Sequence, residues 1–256
     1  MDNFNFKMKN NFDRMALRNL AISNYPNFWK NQQKQLDHII DELIFEMQKN
    51  EATDIKLKID QFLNTKSRIK AIWVLAGSGT YLKPLTDSPS DRQNLGNEWY
   101  HNLDKERLNF AAEIINNISK LRDNAPMLIY NGIDIQNKDL LKAARAQKFP
   151  IAKDNIFIPK GKIIRTLDQI NFFNFPGNFE LKKGDFLGIV SHTPHLSRVL
   201  RIMSKHKNRF KGINLVLLPI NIKNVEGEKK LTEAEITGIL DYIAQDLANI
   251  EPYPYK

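Results

Sequence analysis

The sequence predicts an α/β protein: a Rossmann-like, doubly wound, mainly parallel sheet of five strands with an N-terminal helical extension. Three observations lead there. From residue 70 onward short apolar runs recur at 71–76, 127–130, 155–158, 186–190 and 213–218, each of strand length. The segments between them are long enough for the crossover helices that parallel strands need. The runs are apolar throughout and do not alternate, as expected for strands covered on both faces.

Taken in order, residues 1–68 read as the helical extension. Residues 29–48 set Leu36, Ile39, Ile40, Leu43 and Met47 at the three-and-four spacing of one apolar helix face. A second short helix is expected over 53–63, with Thr53 or Asp54 to cap it. This part carries no chemical signature, so its expected role is to cover the main domain or to contact a partner. Residues 69–220 form the Rossmann-like domain. The rest, 221–256, supplies a last helix over 231–250 with Thr232 as its cap, packed on the same domain.

Composition bounds the function. The chain has 256 residues, 42% hydrophobic and 26% charged, which suits a soluble globular protein. No apolar run approaches the ~20 residues of a membrane span. The N-terminus lacks the apolar core of a secretory signal. With no cysteine there is no disulfide framework and no thiolate nucleophile, and a cytoplasmic setting is expected. The net charge of +9 is uneven: residues 151–212 carry 12 Lys and Arg against 4 Asp and Glu, while 213–256 carry 4 against 7. A positive field of this kind concentrates anions. Nucleic acid is not the expected partner, because no reader motif and no basic stripe interleaved with aromatics is present. The helix at 29–48 could also pair with a second copy of the chain.

In open parallel sheets ligands bind beyond the carboxyl ends of the strands, so the residues that follow each run matter most. After 186–190 come Ser191 and His192, then a helix opened by Pro194 with Thr193 as its cap. Leu196, Val199, Leu200 and Met203 form the stripe that faces the sheet, with His195 and Arg198 beside it near the helix N-terminus. Anions are favoured there, histidine can transfer a proton, and arginine can grip a phosphate or carboxylate. His195 is therefore the candidate general acid/base. The bland alternative is a histidine bonded to its neighbours and a solvated arginine. Neither His192 nor His195 has a carboxylate at a supporting spacing, so no metal site is expected.

The other strand ends are weaker signals. Gly77, Ser78 and Gly79 make a turn through which backbone can approach a ligand, or a turn and nothing more. Leu82 stands where the dinucleotide fingerprint needs its third glycine, and the Lys-Ser/Thr of a P-loop is missing. The second strand ends in Asn131-Gly132. After the third, Arg165, Thr166, Asp168 and Gln169 open a helix, and Thr166 and Asp168 can be simple helix initiators. Arg107 lies on the first crossover helix beside Phe110, Ala111 and Ile114, where its stem could equally cover the core.

This ordered set over residues 70–210 resembles the YdcF/SanA/ElyC family of bacterial α/β proteins. Gly77 and Gly79 match that family's first glycine turn, and Arg107 its helix arginine. Asn131-Gly132 stand in its Ser-Gly-Gly turn. Thr166 holds the threonine of its Asn-Thr-x-Glu-Asn stretch, with Arg165, Asp168 and Gln169 at the other positions. His195 and Arg198 fall on Thr-Ser-x-x-His-x-x-Arg, with Ser191 and His192 in place of Thr-Ser. Lys160 stands where the family often has an acidic residue. The resemblance implies a pocket over the strand ends and a transferase or hydrolase acting on a nucleotide-like or phosphorylated ligand. Alternatively it implies a non-catalytic module that holds such a ligand, for example S-adenosylmethionine, and signals through its helices. The stretch "LAGSGTYLKPLT" is also similar to the start of sugar-nucleotide pyrophosphorylases. It is one residue short, Tyr81 replaces the arginine, and no lysine follows Pro89, so the phosphate-stabilising cations of nucleotidyl transfer are absent.

Overall fold

In the computed structural model of the chain, the described residues are 12–51, 60, 69–76, 97–121, 125–161, 163, 165–173, 181–220 and 225–255. The glycine turn at 77–79 and nearly all of the short helix expected at 53–63 lie outside them. The strands are β1 (Ile69–Val74), β2 (Met127–Tyr130), β3 (Ile156–Phe157), β4 (Phe186–His192) and β5 (Asn214–Ile220). They form one five-stranded sheet in the order β3-β2-β1-β4-β5, and every pair is parallel. The described helices are α1 (Arg14–Asn24), α2 (Pro26–Trp29), α3 (Gln33–Glu51), α4 (Asn97–Leu121), α5 (Asp134–Arg145), α6 (Thr166–Asn171), α7 (Thr193–Lys205) and α8 (Val225–Ala244). This is the predicted α/β class.

Two-sided burial accounts for the unbroken apolar strands. On one face Ile72 and Val74 of β1, Leu128 of β2 and Val216 and Leu218 of β5 meet Ala111, Ile114 and Ile115 of α4 and Leu140 of α5. On the other face Trp73, Ile129, Ile189 and Leu217 meet Ile170 of α6 and Leu196, Val199 and Leu200 of α7. Trp73 stacks on Phe173 with ring centroids 4.1 Å apart. Gly188 is needed in mid-strand, because a Cβ there would lie 2.8 Å from Leu218 Cδ1.

The expected apolar face of α3 is present, with Leu36, Ile39, Ile40, Leu43 and Met47 all buried. Its partners are α7, α8 and β5, so α3 forms an outer layer over the helix that follows β4. As a result α7 is buried on all sides: His195, Ser197, Arg198 and Arg201 are as enclosed as its apolar stripe. A stripe pattern alone would have left those polar residues at a solvent edge.

Neither Thr232 nor Thr193 takes the cap position expected of it. The last helix starts at Val225 and ends at Ala244, so Thr232 is an interior, buried residue and not a cap. The end is set by Asp246 at φ 58° and by the Leu247 N–H, which bonds back to the Tyr242 carbonyl 2.8 Å away. Such left-handed closures terminate helices. Thr193 is the first residue of α7; its cap position is His192, which makes no side-chain capping bond. Among the described residues no helix is long and apolar enough to cross a membrane.

Candidate functional site at the carboxyl ends of the strands

The strand order reverses between β1 and β4, which is where parallel sheets of this type open a crevice. The Leu75 N–H still bonds the Val190 carbonyl at 3.1 Å. Beyond that bond the two chains diverge, and polar side chains from α4, α6, α7 and β4 converge there.

His195 stands at the centre. Its Nδ1 is 2.8 Å from Ser191 Oγ and its Nε2 3.1 Å from Thr166 Oγ1. Burial, seconded by the Arg107 charge, holds its pKa well below the ordinary histidine value. A neutral imidazole donates from one nitrogen and accepts at the other. One hydroxyl must therefore donate to the ring while the other accepts from it, which makes a three-member proton relay.

His192 and Arg107 form the second group. The Arg107 Nη1–H donates to the Leu75 carbonyl at 2.7 Å, and its Nε–H donates to His192 Nδ1 at 3.0 Å. Asp104, one turn earlier on α4, lies 3.5 Å from Nη1. His192 is fully buried, and burial first, then the Arg107 and His195 charges, push its pKa down to about 2. Asp104 also accepts from the Tyr130 hydroxyl at 3.0 Å and from Gln136 Nε2.

Asn131 and Gln169 brace the strand ends. Trp73 Nε1 donates to Asn131 Oδ1 at 2.9 Å, and Asn131 Nδ2 donates to the Gln169 carbonyl at 2.8 Å. Gln169 Nε2 in turn donates to the carbonyls of Ala76, at 2.9 Å, and Asn131, at 3.2 Å. Gly132 leaves room for a neighbour: a Cβ there would sit 2.6 Å from Gln136 Oε1, which accepts from the Ile133 N–H at 2.9 Å.

The remaining candidates lie further out. The Arg165 side chain is half exposed, and its backbone N–H donates to Asp168 Oδ2 at 3.0 Å, so Asp168 serves as a helix initiator. Arg198 turns towards α8, where its Nε is 3.1 Å from Glu235 Oε2. Gly238 gives it space, since a Cβ there would be 3.1 Å from Arg198 Nη1. Burial raises the Glu235 pKa against the opposing charges of Arg198 and Arg107. Arg201 donates to Glu46 Oε2 at 2.8 Å and to the Ser197 carbonyl at 3.1 Å, bracing α7 against α3. The basic excess of 151–212 is thus partly matched internally by acids from distant segments.

The structure thus brings together Arg107, Asn131, Thr166, Ser191, His192 and His195, while Arg165 and Asp168 stay at the rim. Sequence reasoning missed Asp104, Gln136 and Glu235 as members of this polar network. Asp104 carried a signal, because it lies one turn before Arg107 on the same helix face. Among the described residues no cluster of three or more His, Asp or Glu could hold a metal ion. Comparison of the chain with protein-family models, with curated proteins and with solved structures finds no match.

Proposed function

We propose that the chain binds an anionic small molecule, nucleotide-like or phosphorylated, over the carboxyl ends of β1 and β4, and acts on it as a transferase or hydrolase. The observation that carries this reading is the Ser191–His195–Thr166 relay at the point where strand order reverses. A neutral imidazole between two hydroxyls can take a proton from one side and return one on the other, which general acid/base catalysis requires. Of the two hydroxyls, Thr166 belongs to a different element and has the half-exposed Arg165 next to it, so it is the ligand-side member. Ser191 then sets the tautomer from behind. The ordered resemblance to the YdcF/SanA/ElyC proteins supports the same pocket. A second reading, a non-catalytic module for a ligand such as S-adenosylmethionine, is favoured by one observation. The charge of Arg198 is already matched by a buried carboxylate, which suits a zwitterionic or weakly charged ligand.

His195→Ala separates the two. On the catalytic reading, turnover of the true substrate within a set of nucleotides and phosphorylated metabolites falls by roughly 10²–10⁴ while affinity is kept. A variant that retains both activity and affinity would show that His195 is not the acid/base.

A further inference from the structure

The two histidines do different work. His195 has a hydroxyl on each nitrogen, whereas His192 has a partner on Nδ1 alone. That partner is the Arg107 Nε–H, and a guanidinium nitrogen can only donate. Nδ1 must therefore accept, which fixes the proton of the neutral ring on Nε2. The Nε2 atom is fully buried and makes no hydrogen bond. Leaving a buried N–H without an acceptor is costly, so such a group marks a place where a ligand atom can be received. Glu106 Oε2 on α4 lies 3.9 Å from Nε2, and that side chain is 45% exposed, so the ring lies one side chain in from solvent. At 3.9 Å the carboxylate is beyond hydrogen-bond reach. The first turn of the 13-residue helix α7 begins at the next residue, adding the positive end of its dipole.

We propose that His192 is a neutral, preorganised hydrogen-bond donor for a phosphoryl oxygen of the ligand, with Arg107 as the positioning residue that sets its tautomer. The proposal rests on the binding reading above and deepens it. Arg107 then serves the anion through the ring, polarising the imidazole so that its outer N–H becomes a stronger donor. Glu106 sits on the approach as a like charge that opposes the anion.

The test is a long-range ¹H–¹⁵N spectrum of the full chain labelled at histidine, titrated with inorganic phosphate and with AMP and followed in parallel by thermal shift. His192 should show an unprotonated Nδ1 and a protonated Nε2 at pH 7, and its Nε2 signal should move on titration. Glu106→Gln should tighten phosphate binding about two- to fivefold, the effect of one half-exposed charge. A charged His192 at pH 7, or a proton on Nδ1, overturns the proposal. Binding that moves the His195 signals and leaves His192 still overturns it too, while sparing the reading it rests on. If neither compound binds, both fall.

Discussion

His192 and His195 are held uncharged by the same cause: each is enclosed by protein and shares its surroundings with the Arg107 guanidinium. The unfolded chain protonates both near pH 6.5, and the native state does not. Their contribution to stability is therefore complete above that pH. It is lost as pH falls, for His192 down to its native value of about 2. The slope is about 1 kcal/mol per pH unit for each ring. Glu235, whose pKa burial raises against the opposing charges of Arg198 and Arg107, contributes to the pH dependence with the opposite sign. The variant His192→Gln isolates one ring from these opposing groups. Urea unfolding between pH 6.5 and 5.5 should give a pH slope shallower than wild type by about 1 kcal/mol per unit. Equal slopes would mean that His192 is charged, or exposed, in the native state. At this scale the sequence pointed to the strand ends as the place where polar residues gather, but not to the bonds among them. Ser191 and His195 are four apart at one strand end, whereas Thr166 comes from the helix after another strand, and only the fold brings it to the ring. Glu235 could not be anticipated. It lies in the run Thr232-Glu233-Ala234-Glu235, and nothing local distinguishes the buried carboxylate there from the partly exposed one two residues earlier.

The elements were more legible than the contacts between them. β2 coincides with the apolar run that announced it, and β4 extends past its run because Ser191 and His192 still pair with Pro219 and Ile220. Ladder pairing can carry polar residues at a strand end, and apolar runs do not record it. Helix α7 shows the other limit. Its stripe of Leu196, Val199, Leu200 and Met203 was readable, but the enclosure of its polar side was not. That enclosure comes from α3 and α8, far away in sequence. The buried Arg201–Glu46 pair is the seam between α3 and α7. Glu46→Ala leaves a buried guanidinium short of its charge partner, and should lower the unfolding free energy by about 3–5 kcal/mol. Glu42→Ala removes the partner of an exposed His38 on the same helix, and should stay within about 0.5 kcal/mol. If the two variants unfold at the same denaturant concentration, α3 is not a structural cover for the helix that carries His195.

For the whole molecule, the sheet is the middle of a stack. One face carries α4 and α5. The other carries α6, α7 and α8, with the N-terminal helices as an added layer tied on by α1–α8 contacts such as Asn24 Nδ2 to Asp241 Oδ1 at 3.2 Å. The chain end joins the same side, where the Tyr253 hydroxyl donates to the Phe210 carbonyl at 2.7 Å. This layering leaves the carboxyl ends of β1, β2 and β4 as the place where buried polar groups gather. The most direct test is hydrogen–deuterium exchange of the full chain, alone and with nucleotides, sugar phosphates and S-adenosylmethionine in turn. An anion bound at the N-terminal end of α7 would slow exchange of the backbone N–H groups that face it. At least one phosphorylated compound should slow exchange in peptides covering 131–133 and 191–196. Exchange there unchanged by every compound, or protection confined to α1–α3, would contradict a ligand site at the strand ends.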